Sequence, residues 1–445
     1  MKLYDTYTSS IREFKPIDGN NVKVYVCGMT VQDSPHAGHL RTFTSFDILR
    51  RYLEYKGYKV SFVQNFTDID DKIINKSKEL GIDWRKIAYK YEQEYIQYAK
   101  LMNFKEPDFY PKATLHIQEI IEIIQSLINK GFAYVSNGNV WFDVSKFESY
   151  GKLSKKTIEE LISGYRIEPD SSKKNPYDFA LWKAYKENEP YWYAPFGRGR
   201  PGWHIECSAM VITHLGETVD IHGGAEDLIF PHHENEIAQS ETYTNKKFSN
   251  FWIHTGFLNI KGEKMSKSTG IFLSAKDLLE NYEPNVVRLF YIKAHYRTPL
   301  DFSEELLNDA KNSWNRVKNF LLEYSQDGKI LTDILYKFEE AMDDNLNTPK
   351  AISVIFDAIN LAYKNREIAI DVSWTIRFLL SILGFDINFQ RTSNRLNEIM
   401  DIIIEIRHEL RKNAQFELSD RIRTRLKDMG IVLEDTKEGT KWKVL

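Results

Sequence analysis

Two sets of residues in this 445-residue chain could do chemistry. The first is Cys27, Cys207, His232 and Glu236. Two thiolates, an imidazole and a carboxylate form a donor mixture that zinc accepts in tetrahedral geometry. His232 and Glu236 are four apart, so on a helix they share a face and can reach one ion. His233 and Glu234 would then point elsewhere. The run His232-His233-Glu234-Asn235-Glu236 is not the His-Glu-x-x-His of a metalloprotease, which argues against a water-activating zinc. Cys27 and Cys207 are the only two cysteines. A large cytosolic chain seldom carries a lone disulfide, and two unrelated buried thiols are the plainer alternative.

The second set is His36, Gly38 and His39, in a position to hold phosphate. Val22, Val24 and Val26 predict a buried strand, which Gly28 ends. Ser34 and Pro35 then offer an N-cap and a first helical proline. From His36 a helix is expected through Phe43, Phe46, Leu49 and Leu53, ending near Gly57. Strand, turn and helix start present free N–H groups and the positive end of a dipole to an anion. Gly38 lets a flat base or ribose lie against the backbone, and the histidines add donors. Alone, His-x-Gly-His is short enough to arise by chance or as a cap. It gains weight from Lys264-Met265-Ser266-Lys267-Ser268, flanked by Gly262 and Gly270. A solvated charge cluster would explain those lysines too, but glycines on both sides suggest a loop that folds over phosphates.

The elements that must position these residues follow in order. A second strand over 58–63 completes a βαβ unit, and its polar end, residues 64–72, is where such sheets bind ligands. Asp68, Asp70 and Asp71 could equally cap the next helix. Residues 1–20 read as a lead-in and 73–130 as helical, with breaks at Pro107 and Pro111. A hairpin spans Asn137-Gly138-Asn139, and roughly 115–200 reads as an insertion between two halves of a sheet. Arg198 to Cys207 is a polar loop entering a helix; 219–224 and 251–254 are strands. Helices over 303–325, 331–345, 349–366 and 372–383 suggest a bundle. The tail predicts helices over 396–413 and 418–429. Arg421, Arg423, Arg425 and Lys427 on the second are a solvated face, or with Trp442 a grip for single-stranded RNA. The fold class is therefore α/β: a doubly wound, Rossmann-like parallel-sheet catalytic domain with an insertion, then an α-helical bundle and a small C-terminal α/β domain.

Composition sets limits. The length suggests several domains. A formal net charge of −3 excludes a generic nucleic-acid coat, so RNA contact must come from local basic faces. No apolar run is long enough to span a bilayer, and the N-terminus lacks a signal core, so a cytoplasmic protein is expected.

Long matches in order make this chain resemble the cysteinyl-tRNA synthetase family of class I aminoacyl-tRNA synthetases. They include Cys27-Gly28-Met29-Thr30 with His36-Ala37-Gly38-His39, and Gln64-Asn65-Phe66-Thr67-Asp68-Ile69-Asp70-Asp71-Lys72. Gly202-Trp203-His204-Ile205-Glu206-Cys207, His222 to Gln239, the 264–268 motif and Gly439-Thr440-Lys441-Trp442 continue the match. Met29 and Ala37 depart from the family's usual proline and isoleucine, beside the functional atoms rather than among them. The resemblance implies one zinc on Cys27, Cys207, His232 and Glu236 that binds the thiolate of L-cysteine, giving selection against serine without editing. It implies that His36, Gly38, His39, Lys264, Ser266 and Lys267 hold Mg-ATP, with His36, His39, Lys264 and Lys267 catalytic. Gly28, Thr30, Thr67, Trp203 and His222 would bind the amino acid. Cysteinyl-adenylate would form first and be passed to tRNA(Cys). A monomer is expected, with no membrane partner. The implied borders are 1–115 and 201–255 for the catalytic halves, 116–200 for the insertion and 256–305 for the loop and stem-contact region. Residues 306–390 would be an anticodon-binding bundle, and 391–445 a small tRNA-binding domain. An enzyme joining cysteine to an amino sugar, or a catalytically dead RNA-binding module, are the rival readings.

Overall fold

Val22, Val24 and Val26 do form a buried strand, and it is the centre of the catalytic sheet. The computed structural model describes every residue except 158–159, 161–169, 261–262, 265–272, 437–438 and 445. At 263–264, 389–398, 434–436, 439, 441 and 443–444 it describes the backbone alone. The sheet contains β1 (Asn21–Val26), β2 (Lys59–Gln64), β3 (Val219–Ala225) and β4 (Ser249–Thr255). All pairings are parallel and the order is β4-β3-β1-β2. From β1 the chain moves outward to β2, then returns to lay β3 on the other side of β1. That reversal makes the carboxyl ends of β1 and β3 the topological switch point, where open α/β sheets bind ligands.

Helix α1 (Ala37–Tyr55) follows β1 and buries Leu40, Phe43, Phe46, Leu49, Tyr52 and Leu53 against the sheet. Its cap is not Ser34. Extended His36 caps it: its side chain accepts from the His39 N–H, and the His39 side chain accepts from the His36 N–H. The reason is that Pro35 and His36 are held extended by pairing with the chain at Ser274, with Ala275 N–H donating to Pro35 O. Two more helices carry site residues, α2 (Trp203–Leu215) and α3 (Glu234–Thr244).

Residues 1–20 are more than a lead-in. Lys2–Asp5 and Ser10–Glu13 pair as a hairpin, and buried Asp5 accepts the N–H of Trp252 in β4, which docks it on the sheet edge. Between the sheet halves lies an antiparallel sheet of Ala133–Ser136, Asn139–Phe142, Phe179–Ala184 and Gly199–Pro201. Asn137 and Gly138 both take positive φ (51° and 79°), the conformation a two-residue hairpin turn needs. Helix Ile117–Asn129 covers this sheet, and Ile120, Leu127, Phe142 and Trp182 form its core. Helices Glu304–Glu323, Thr332–Asp343, Thr348–Lys364 and Ala369–Ile382 follow where amphipathic spacing placed them.

Asp386–Leu445 is a separate unit. Its first helix, Phe389–Lys412, begins seven residues before the expected 396; the second is Phe416–Asp428. Ile431–Thr436 and Gly439–Val444 close it as a hairpin. Trp442 packs against Met400, Leu426, Ile431 and Leu433 in this unit's small core, so it is not a side chain set out for stacking on RNA. A unit this short has little apolar surface to bury, and its one tryptophan goes to its own core.

Fully buried Arg288, on helix Pro284–Ile292, ties three distant parts of the chain to one another. It donates to Asp47 Oδ2 of α1 (2.9 Å), Leu383 O (3.0 Å) and Met102 O (2.6 Å). Asp47 also accepts Arg51 Nε and the Lys105 N–H. Removing one partner leaves the other charge buried without compensation, so Asp47→Ala is expected to cost about 3–5 kcal/mol. Chemical denaturation reads this directly; a loss below about 1 kcal/mol would mean the pair is solvated.

Candidate active site and metal-ligand cluster

Cys27 is the first residue beyond β1, its N–H bonded to Gly223 O of β3, so its sulfur sits at the switch point. Cys207 comes from one turn into α2, His232 from a kinked turn (Ile229–His233) whose Phe230 is extended, and Glu236 from the first turn of α3. One ligand atom from each of the four lies within 4.8 Å of all the others, and all four residues are buried. The Sγ atoms are 3.9 Å apart, which rules out a disulfide near 2.05 Å. Two sulfurs about 2.3 Å from one tetrahedral ion would sit about 3.8 Å apart. Glu236 Oε1 is 3.0 Å from His232 Nε2 and 3.5 Å from Cys27 Sγ. Its Oε2 is 3.3 Å from His222 Nε2 but makes no aligned hydrogen bond. The donor set and spacing suit one tetrahedral soft-to-borderline ion.

Sequence reasoning turned His233 away, and the structure corrects this. Its Nε2 lies 3.3 Å from Cys27 Sγ and 3.9 Å from Glu236 Oε1. On a helix i+3 shares a face with i as i+4 does, so His232 and His233 flank the same carboxylate. Cys27, His222, His233 and Glu236 thus form a second set of close donors that shares two members with the first. Glu234 does point elsewhere, accepting the N–H groups of Gly151 and Ser154. His204 and His254 were also missed. His204 Nδ1 is 2.9 Å from His232 Nδ1, and His254 Nε2 is 2.7 Å from His233 Nδ1. Their signal was a histidine in a buried strand or helix, which must find a partner.

The electrostatics favour a cation. Burial opposes the Cys207 thiolate, but Cys27 donating to it and His232 beside it bring its pKa down to about 6. Burial likewise opposes ionised Glu236, yet His222 and His232 hold it well below the ordinary carboxylate range. His232 would be lowered by burial, but Glu236 and Cys207 raise it to about 10. The Cys27 thiol is pushed well up by burial and by the negative neighbours Cys207 and Glu236. Negative charge on Cys207 and Glu236 therefore faces the His232 imidazolium in a buried site that opens to the cleft only beside Cys27.

Beside the cluster opens a cleft of about 460 Å³. Cys27, Gly28, Thr30, His36, Gly38, His39 and Trp203 all line it. Gly28 is required there, because a Cβ would meet Asn65 O at 1.7 Å. Thr67 pairs with Thr30 as a backbone bridge and is buried. His222 is fully buried among the cluster residues. The start of α1 is less bare than an anion site built on N–H groups alone. Ala37 N–H donates to Leu273 O and His39 N–H to His36, leaving Gly38 as the first-turn donor without an acceptor among the described residues. The His36 and His39 rings stack at 3.5 Å, and each Nδ1 accepts, so each neutral ring carries its proton on Nε2. The Lys264 backbone pairs with Asn259 in a short strand. Its side chain, Ser266 and Lys267 lie outside the described residues.

A parallel sheet with its site at the switch point and two histidines at a helix start lie in the part of the chain that the class I synthetase family model covers. The family model for the class I (C) tRNA synthetase catalytic domain matches residues 13–312, and the DALR domain model matches 337–387. A Mycobacterium tuberculosis methionyl-tRNA synthetase in complex with methionyl-adenylate shares the fold, with TM-score 0.61 and 14% identity over 82% of this chain and 89% of that one. The cysteine--tRNA ligase of Clostridioides difficile is 46% identical, covering all of both chains. That of Thermococcus gammatolerans is 44% identical over the whole of this chain and 99% of its own. The chain belongs to the cysteine--tRNA ligase family.

The sulfur separation predicts two free thiols per chain when the protein, purified without reductant, is unfolded and titrated with a thiol reagent. Finding none would mean that Cys27 and Cys207 are bonded to each other.

Proposed function

We propose that this enzyme ligates L-cysteine to tRNA(Cys) in two steps, with zinc at the buried cluster. The observation that carries the reading is the convergence of Cys27, Cys207, His232 and Glu236 behind a cleft walled by His36, Gly38 and His39. Those four residues would hold the ion, with His222 and His233 completing the surroundings. Zinc held there supplies a soft Lewis acid that prefers sulfur to oxygen, the one atom by which cysteine differs from serine.

The chain's own residues do the remaining work. Gly28, Thr30 and Trp203 line the cleft beside Cys27, with Trp203 stacked on His232, and the amino acid would lie there with its side chain toward the cluster. Its carboxylate attacks the α-phosphorus of Mg-ATP; the bond to the bridging oxygen breaks and pyrophosphate leaves. His36 and His39, protonated at Nε2, donate to phosphate oxygens, and Gly38 allows close approach of the nucleotide. Lys264 and Lys267, with Ser266, neutralise the charge gathered on the leaving pyrophosphate. The terminal adenosine 2′-hydroxyl then attacks the acyl carbon and AMP departs. Positioning and charge neutralisation account for the catalysis; no covalent enzyme intermediate is needed.

Cysteine-dependent pyrophosphate exchange, followed by charging of tRNA, tests the reading. Exchange without charging would point to a small acceptor such as an amino sugar, and no exchange to a dead binding module. Lys267→Ala is expected to slow exchange by about 100-fold or more, on the order of 3 kcal/mol. An unchanged rate would remove Lys267 from the reaction.

A further inference from the structure

Arg41, on the second turn of α1, is a buried cation whose contacts the reaction above does not use. Its guanidinium donates to Gly256 O (2.7 Å), to Phe257 O and to Thr298 O. Unlike Arg288, it has no carboxylate within ion-pair distance among the described residues. Burial lowers its pKa to about 10, so it stays charged at neutral pH. A buried charge held by carbonyls rather than by a close carboxylate is costly, and a fold that keeps one gains something in return.

The three carbonyls show what is gained. Gly256 and Phe257 lie directly before Leu258–Ile260, the strand that leads into the 264–268 motif, and both line the same cleft as His36 and His39. Thr42 Oγ1, next to Arg41, meets Thr255 Oγ1 at 3.0 Å. The far end of the stretch is tied to the same helix: Ala37 N–H donates to Leu273 O, and Ala275 N–H to Pro35 O. One helix therefore bears the nucleotide-site histidines and holds the motif-bearing stretch at both ends. The Arg41 end is also the tightest. A Cβ on Gly256 would meet Arg297 O at 2.6 Å and Thr298 C at 2.8 Å, backbone that cannot move aside.

We propose that Arg41 is a positioning residue for adenylate formation: it fixes Gly256 and Phe257, and the chain leading on from them, against α1, so that this wall of the cleft is set for ATP held by His36 and His39. Only a forked guanidinium satisfies three carbonyls from two segments at once; a lysine ammonium keeps the charge but not the fork. The inference rests on the two-step reaction proposed above.

Pyrophosphate exchange in wild type, Arg41→Lys, Arg41→Gln and Gly256→Ala tests it, with zinc content and amide hydrogen exchange of 256–260 and 273–277 measured alongside. Arg41→Lys is expected to lower kcat at least tenfold and raise KM for ATP severalfold, while KM for cysteine and zinc content stay put. The amides of 256–260 should exchange faster, and Gly256→Ala should give the same pattern from the other side of the contact. If Arg41→Gln does not fold, these two variants decide the matter. An Arg41→Lys enzyme with unaltered ATP kinetics, or one whose KM values for ATP and cysteine rise together, overturns the inference while the reaction stands. A wild type without cysteine-dependent exchange overturns the reaction and this role with it.

Discussion

The constraint on which the structure depends is the burial of four ligand atoms that together carry more negative than positive charge. Two of them, the Cys207 thiolate and the Glu236 carboxylate, face the His232 imidazolium, with Cys27 donating to Cys207 and His222 beside Glu236. Burying unpaired charge costs several kcal/mol per ion unless a partner of opposite sign arrives. The four residues come from three segments far apart in sequence, so only the tertiary fold can assemble them. The parallel sheet does this by placing Cys27 at the end of its central strand, with α2 and α3 packed over that end. The kinked turn that runs into α3 then brings both His232 and His233 to bear on Glu236.

This arrangement separates two tasks in space. The cluster lies buried at the base, suited to judging one side-chain atom, while the cleft above it is open enough for a nucleotide. Gly28 joins them: it follows Cys27 directly and lines the cleft, and its close approach to Asn65 O leaves no space for a side chain. The same helix that lines the cleft anchors the chain around the 264–268 motif. On the reading proposed here, amino-acid choice and phosphate chemistry are held by adjoining parts of one sheet end.

Much of this was legible in the residues. Alternating valines marked β1, and Asn137-Gly138 marked the hairpin, because each pattern has one dominant local cause. The metal quartet could be picked out because cysteines are so scarce here and His232 and Glu236 are four apart. What escaped were features set by distant contacts. Ser34 looked like a cap, but strand-like pairing of His36 with Ser274 moved the cap by two residues. His233 was set aside because the i+3 relation was given too little weight. Trp442 resembled an RNA platform, but it packs against the small core of its own unit. Arg41 carried no sequence signal, since its partners are all backbone carbonyls.

The central claim is that selection of cysteine depends on an ion in the buried quartet. The most direct measurement compares zinc-loaded and metal-stripped enzyme for binding of cysteine and of serine by calorimetry. The account predicts that the loaded protein binds cysteine at least about 100-fold more tightly than serine, and that stripping removes most of this preference. A metal-free protein that still prefers cysteine to the same degree would contradict it.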